Sequence, residues 1–407
     1  MTQRRWVWRG AIAALAIFGG TYLTGDAAAK DTLVLWHAYR GEERAALESV
    51  IATFNAGSAS AHVDLLAIPY DAFADKITAA VPRGKGPDLF IFAHDRIGGW
   101  AESKLIEPIE FWVNDERRSQ YFPITLQALT YRDSLYGLPM AFKSTALYYN
   151  KALVSTPPKT TDELVEQAKK LTDVKAGRFG LVYENANFYY HSCWFQGFGG
   201  TVFDNAGRPA LDSAEQVRAL AFARDLDRKH GIIPQEVTNV LVTTLFNQGN
   251  GAMVISGPWF RGEIAGKVDY GVAPLPEISG LGRRATPFMS SEAVIMSAHS
   301  THKEAAYAVM EYLTSADAAR VMATKGRQTA ANVKVWEQPD VAKDPTLSVF
   351  RAQLDDSRPM PNTPEMTMVW TPASTAMAKV IVGTTEPGAA LKEAQQEVEK
   401  LIEGAKR

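Results

Sequence analysis

Apolar runs alternate with amphipathic stretches along the first part of the chain. Residues 31–37 and 89–92 are short, almost continuous apolar segments, as in strands that are buried on both faces. Residues 41–56 and 70–81 instead carry apolar side chains at three- and four-residue spacings, which predicts helices, and 63–69 is a further strand. Strands and helices that alternate in this way predict a doubly wound α/β unit with a mainly parallel sheet.

The strand at 89–92 ends abruptly on polar residues. His94, Asp95 and Arg96 follow it directly, at the carboxyl edge where open α/β sheets bind their ligands. One wall of a cleft could thus be formed by three residues. Phe92 would supply an apolar face, Asp95 a hydrogen-bond acceptor and Arg96 a set of donors. The alternative is that Asp95 only caps the next helix, predicted at 97–106, and pairs with Arg96.

The pattern changes in the middle of the chain. Residues 136–150 read as a strand of about fifteen residues with no helix beside it, which could pass from one domain to another. Residues 288–296 form a second long apolar strand and a candidate return crossing. Between and after them the sequence again predicts strands and helices, with a long helix at 303–325 and a last amphipathic helix that buries Leu391, Ala394, Val398 and Leu401.

Composition and charge narrow the function. A chain of 407 residues with 46% apolar and 22% charged residues is long enough for two domains. The net charge of −2 argues against a nucleic-acid partner, and the single cysteine, Cys193, excludes an internal disulfide framework. The scattered histidines predict neither a metal site nor a cofactor. No catalytic motif is present, although a glycosidase using Asp95 and Glu292 is an alternative.

The first 29 residues predict export. Arg4, Arg5 and Arg9 precede a short apolar run, and the small residues 27–29 follow, which is the order of a cleavable signal peptide. An uncleaved membrane anchor and a twin-arginine signal are the alternatives. Loss of this segment removes three arginines and one aspartate, so the net charge changes from −2 to −4. The mature protein is expected to lie in the periplasm without membrane insertion.

Several aromatic residues lie near predicted element ends. Trp259 and Trp370 fall in the first turns of predicted helices, and Tyr189 in a predicted loop after a strand. A flat ring at the mouth of a cleft can stack on the apolar face of a sugar. The alternative for each of them is an ordinary place in the core.

Separate motifs, in the same order along nearly the whole mature chain, resemble those of the periplasmic maltose/maltodextrin-binding proteins of ABC importers. They are Phe90-Ile-Phe-Ala-His-Asp-Arg-Ile-Gly-Gly-Trp-Ala101, Tyr148-Tyr-Asn-Lys-Ala-Leu153, Pro157-Pro-Lys-Thr160, Gly257-Pro-Trp259, Tyr270-Gly-Val-Ala-Pro-Leu-Pro276 and Met360-Pro-Asn-Thr-Pro-Glu-Met366. The resemblance implies the two-lobed periplasmic binding protein fold, in which each lobe has a mainly parallel sheet with flanking helices and the ligand lies between the lobes.

The resemblance also implies the limits of each lobe. The N-terminal lobe would comprise residues 30–141 and 289–335, and the C-terminal lobe 146–284 and 340–407. The crossing strands would lie near 142–145 and 285–288.

Site residues are carried over by position. Trp259 and Trp370 match the family's stacking tryptophans, Tyr189 its stacking tyrosine, and Asp95 with Arg96 a pair that binds sugar hydroxyls.

Other positions of the site depart from the family. Met360 matches a residue that lines the cleft, whereas Phe92 replaces a third tryptophan. Lys143 and Asn187 stand where maltose binders have glutamates, and Arg40 lies where they have an Asp-Lys pair.

These matches imply a noncatalytic, monomeric protein that closes on an oligosaccharide and delivers it to the membrane permease of an ABC importer. The changed polar positions leave the sugar open between a maltodextrin, trehalose and a cyclodextrin. Lys143 and Arg40 are the features that favour an acidic sugar.

Overall fold

The computed structural model describes residues 30–405, so the predicted signal peptide lies outside the described residues. The strands are β1 Asp31–His37, β2 Ala61–Ala67, β3 Leu89–Ala93, β4 Thr130–Tyr131, β5 Ser134–Leu135, β6 Leu138–Lys143, β7 Ala146–Asn150, β8 Phe179–Val182, β9 Gly251–Ser256, β10 Tyr270–Ala273, β11 Glu277–Ile278, β12 Arg283–Arg284, β13 Phe288–Met296 and β14 Arg358–Pro359. The α-helices are α1 Gly41–Gly57, α2 Tyr70–Ala80, α3 Ile97–Glu102, α4 Asp115–Arg118, α5 Pro123–Ala128, α6 Thr161–Leu171, α7 Phe188–Gly197, α8 Ala214–Arg228, α9 Asn239–Asn247, α10 Lys303–Leu313, α11 Ala316–Thr324, α12 Pro339–Ala342, α13 Pro345–Asp355, α14 Met366–Ile381 and α15 Pro387–Ala405. Short 3-10 helices occupy Val81–Arg83, His94–Arg96, Val174–Ala176, Pro258–Glu263 and Val333–Glu337. No helix between residues 30 and 405 is both long and apolar enough to span a bilayer.

The first lobe is built on a six-stranded sheet in the order β14-β13-β3-β1-β2, with β6 on the far side of β13. β1 runs parallel to β2 and β3, whereas β13 runs antiparallel to both β3 and β6. The apolar runs of these strands form one core with the inner faces of the helices around them, including Leu35, Phe90 and Ile295. The doubly wound prediction for this part of the chain is confirmed.

The second lobe is built on a four-stranded sheet in the order β10-β7-β9-β8. β8 and β9 are parallel, and β7 is antiparallel to both β9 and β10. β7 alone is reversed, but because it lies between β9 and β10, two of the three pairings in this sheet are antiparallel. The α/β class is confirmed, whereas the sheet of the second lobe is mixed and not mainly parallel as predicted. α6, α7, α8, α14 and α15 supply most of the remaining core of this lobe.

The reversed strands lie next to the connections between the lobes. The predicted strand at 136–150 is two strands, β6 in the first sheet and β7 in the second, separated by Ser144 and Thr145. β13 begins against the second-lobe core at Phe288 and continues through the first sheet. Among the described strands, β14 pairs only with the start of β13, at Phe288 and Met289.

Three local predictions were wrong. The single helix at 303–325 is α10 and α11, because the Ser315 side chain accepts from the backbone N–H of Ala318 and caps a new helix. The helix at 97–106 ends at Glu102. In α15, Leu401 is 41% exposed and Ile402 is buried instead, so the apolar stripe is shifted by one residue at this end.

Candidate functional site

The polar residues after β3 form a 3-10 turn that leads into α3. Arg96 is the N-cap residue of α3, and no side chain caps that helix, so the capping interpretation of Asp95 is wrong. The expected pairing is present, with Asp95 Oδ2 3.5 Å from Arg96 Nε. Burial raises the pKa of Asp95 to about 6, although Arg96 opposes this shift. Asp95 is thus a desolvated acceptor held beside a partly exposed guanidinium.

Phe92 does not present its ring to a cleft. Its side chain is 4% exposed and lies between Phe73, at a centroid distance of 4.9 Å, and Tyr70, at 5.2 Å. Tyr70 from α2 covers it and is itself 49% exposed. Because a strand buried on both faces hides its side chains, the ring available here is that of Tyr70, which the sequence interpretation did not identify.

An aromatic wall, consisting of Trp259, Tyr189, Phe288 and Trp370, lines the second lobe. The rings follow one another at centroid distances of 6.2, 6.5 and 6.3 Å. Trp259, Tyr189 and Trp370 are half-buried, while Phe288 is fully buried behind them. The structure therefore brings together the three aromatic residues that the sequence selected, and adds Phe288 as their support.

Trp259 is held in place by the backbone beneath it. The 3-10 helix that carries it starts at Pro258, where the missing N–H has no cost. A Cβ atom on Gly257 would overlap the six-membered ring of Trp259, so the indole lies directly on this glycine. The Gly257 carbonyl accepts from Tyr148 Oη at 2.9 Å, and Arg261 pairs with Asp344 at 2.8 Å.

Tyr189 was expected in a loop, which is wrong, since it is the second residue of α7. The Asn187 side chain accepts from the backbone N–H of Tyr189 at 3.0 Å and so caps this helix. Asn187 therefore positions Tyr189 through the backbone. Burial, together with the Tyr190 and Tyr70 hydroxyls, raises the pKa of Tyr189 above its usual range.

Met360 is anchored by a buried histidine. The Ser291 N–H donates to His94 Nδ1 at 3.0 Å, so the proton of the neutral ring is on Nε2, which donates to the Met360 carbonyl at 2.9 Å. Burial lowers the pKa of His94 to about 4. His94 thus joins the end of β3, the middle of β13 and the segment that carries Met360.

A charged cluster, defined as Tyr39, Glu43, Lys143, Glu292 and Gln328, lies in the first lobe. Lys143 Nζ is 3.3 Å from Glu43 and 3.1 Å from Glu292. Tyr39 donates to Glu292 at 2.8 Å, and Gln328 donates to Glu43 at 3.1 Å. The two carboxylates raise the pKa of Lys143 beyond its usual range, although burial opposes this.

The charged cluster adjoins the turn that carries Asp95. Glu292 is paired in register with Ala93, at the end of β3. Burial and the carboxylates of Asp95 and Glu292 raise the pKa of Tyr70 to about 12, while Lys143 opposes this. Tyr70 therefore lies within electrostatic reach of both groups. Arg40 is different, because it is exposed at the start of α1 and does not cap that helix with its side chain.

The arrangement suits noncovalent binding. Half-buried rings on one lobe face hydrogen-bonding groups on the other, as in sites that recognise ligands with apolar faces and polar rims. Among residues 30–405, no group of three or more His, Cys, Asp or Glu side chains is placed to hold a metal ion.

Comparisons with known proteins agree with this geometry. Residues 38–320 match the family described as "Bacterial extracellular solute-binding protein". A maltotriose-binding protein of Pyrococcus abyssi is 29% identical over 383 residues, which are 91% of this chain and 83% of the relative. A galactooligosaccharide-binding protein of Bacillus subtilis is 29% identical over 342 residues, 81% of this chain and 80% of the relative. The crystal structure of a cyclo/maltodextrin-binding protein complexed with maltotetraose superposes with a TM-score of 0.83 at 31% identity, and covers 92% of this chain and 98% of that one.

Proposed function

The chain belongs to the bacterial extracellular solute-binding protein family, and we propose that its solute is an oligosaccharide of the maltodextrin type. The family consists of binding proteins and not of enzymes, which agrees with the prediction made from the absence of catalytic motifs. The aromatic wall is the observation that carries the proposal. The half-buried rings of Trp259 and Tyr189 lie 6.2 Å apart, and Trp370 is joined to Tyr189 through the buried ring of Phe288. Neighbouring half-buried rings of this kind suit the apolar faces of linked glucose units.

The mechanism proposed is closure of the two lobes around the sugar. Trp259, Tyr189 and Trp370 would stack on it from the second lobe, while Asp95, Arg96 and Lys143 would contact its hydroxyls from the first. A ligand that touches both lobes binds the closed form more tightly and so shifts the population towards it. The hinges would lie at residues 142–145 and 285–288, between lobes bounded at 30–141 with 289–335 and at 146–284 with 340–407.

Three further features belong to this proposal. The protein would be exported through its first 29 residues and act in the periplasm. It would act as a monomer, and the loaded, closed form would dock on the permease of an ABC importer. Other sugars stay candidates: similarity to a cyclo/maltodextrin-binding protein supports a cyclodextrin, similarity to a galactooligosaccharide-binding protein supports a galactooligosaccharide, and the changed polar positions leave trehalose open.

A fluorescence titration of the mature protein tests the proposal. Maltose, maltotriose, trehalose and a cyclodextrin are added separately, and tryptophan emission is followed. A saturable change with one sugar, lost in Trp259→Phe and retained in Trp112→Phe, supports the aromatic wall as the site. Trp112 is the control because its indole N–H pairs with Glu304 at the surface of the first lobe. If no sugar changes the emission and calorimetry detects no heat, the proposal is wrong.

A further inference from the structure

We propose that the charged cluster makes this cleft select uncharged sugars over carboxylated ones, with Lys143 and Glu292 as the specificity-determining residues. The inference rests on the proposed function and deepens it. A lysine in a binding cleft by itself suggests an acidic ligand. Here the structure supplies its counter-charges from the protein.

The first step is the number of hydrogen-bond donors. A lysine ammonium has three N–H donors and no acceptor. In Lys143, the ammonium lies 3.3 Å from Glu43 Oε1 and 3.2 and 3.1 Å from the two oxygens of Glu292. At most one donor is left for a ligand, which is enough for a hydroxyl oxygen but cannot match both oxygens of a carboxylate.

The second step is the local charge. The two cations near the end of β3, Lys143 and Arg96, face three carboxylates, those of Glu43, Glu292 and Asp95. When all are ionised, these five groups together carry one net negative charge. A ligand carboxylate would enter beside excess negative charge, and like charges brought together disfavour association.

The third step is the chemistry that the cluster can offer. Its carboxylates accept hydrogen bonds, and the buried Gln328 Oε1 has no hydrogen-bond partner among the described residues. Sugar hydroxyls donate and accept, so they can satisfy such acceptors, whereas a carboxylate only accepts. Donor count, charge and acceptor supply thus favour the same class of ligand.

The test compares two sugars that differ by one carboxylate. Maltotriose and its derivative oxidised to a glucuronosyl unit at the nonreducing end are titrated calorimetrically into the wild type. We expect the acidic sugar to bind about 100-fold more weakly, the scale of a like-charge penalty of a few kcal/mol. Glu292→Gln removes one negative charge and should reduce this preference about tenfold.

Two further variants serve as a control and as a replacement for Glu292→Gln. Glu393→Gln is the matched control. Glu393, on α15, forms an exposed pair with Lys379, on α14, so this variant removes the same charge far from the cluster and should leave the preference unchanged. Glu43→Gln repeats the substitution on α1 if Glu292→Gln does not fold, as judged by circular dichroism.

The outcomes separate the two proposals. Equal or tighter binding of the acidic sugar by the wild type overturns the selection and leaves sugar binding intact. An unchanged preference in Glu292→Gln and Glu43→Gln also overturns the assignment to this cluster. If neither sugar binds the wild type, the proposed function fails, and this inference fails with it.

Discussion

Gly257→Ala tests the aromatic wall without removing any of its rings. Gly257 has φ −95° and ψ −175°, an extended conformation that alanine adopts freely, so the backbone need not change. The added methyl would, however, occupy the space of Trp259 atoms Cε3, Cζ3 and Cη2. Because Trp259 is half-buried, its indole can swing outwards, and the fold should survive while the stacking surface is lost.

The expected loss follows from the area of the contact. One sugar face covers about 60 Å² of apolar surface, which at about 25 cal/mol per Å² corresponds to about 1.5 kcal/mol. This is about a tenfold loss of affinity. Trp259→Ala should lose about 1–3 kcal/mol by the same reasoning, so Gly257→Ala should approach the effect of removing the ring.

Calorimetric titration with the sugar that binds the wild type measures this loss. Gly262→Ala is the matched control, because it lies in the same 3-10 helix and an added Cβ meets no atom within 4 Å. We expect Gly262→Ala to bind as the wild type does. Wild-type affinity in Gly257→Ala, with an unchanged emission spectrum, would refute the view that Gly257 sets the position of Trp259.

Four other substitutions test the first lobe. Lys143→Met leaves two carboxylates facing each other and should lower the free energy of unfolding in urea by about 3 kcal/mol at neutral pH. Lys151→Met, which removes a lysine from an exposed pair with Asp269, should leave the free energy of unfolding almost unchanged. The pKa of Asp95 is raised from 3.8 to about 6, so its contribution to stability is present below pH 3.8 and is lost as pH rises through 6. In thermal melts over this pH range, the melting temperature of Asp95→Asn should lack this loss. The pKa of His94 is lowered from 6.5 to about 4, so its contribution to stability is present above pH 6.5 and is lost as pH falls through 4. His94→Leu should remove this loss of stability in acid. It should also lower the free energy of unfolding in urea by about 1–3 kcal/mol, because two buried backbone groups lose their partner. Tyr70→Ala should weaken sugar binding about tenfold by calorimetry if its ring contacts the sugar, and unchanged affinity would remove it from the site.

Much of the fold could be predicted because several strands contain a short apolar run. β13 has the predicted limits of 288 and 296, and β1 those of 31 and 37, and they contain the apolar runs 293–296 and 33–36, each followed by a polar residue. α7 was missed for the opposite reason. Aromatic residues have modest helix propensity, and burial of Phe188 and Trp194 in the second-lobe core stabilises a helix that local preference does not predict.

A site residue could be predicted only where a local sequence motif identifies it without knowledge of its neighbours in the fold. A tryptophan after Gly-Pro is recognisable, and Trp259 does lie in the aromatic wall. The environment of Lys143 is different, because its partners are separated from it by 100 and 149 residues in the chain. No local pattern predicts that α1 and β13 bring carboxylates to the end of β6. The same limit hid Tyr70, whose position over Phe92 depends on how α2 packs on the sheet.

The distribution of charges bears on how closure would be driven. The salt bridges and hydrogen bonds of the charged cluster involve no residue of the second lobe. Four of its members lie in the proposed first lobe, and Lys143, the last residue of β6, lies at the proposed hinge. The ammonium of Lys143 is therefore paired without any group of the second lobe, although the cluster keeps one excess negative charge when both carboxylates are ionised. The aromatic wall belongs to the second lobe, and stacking gains free energy only when a ligand covers the rings. A sugar that spans both surfaces would thus supply the free energy of closure itself, and an empty cleft would gain little by closing.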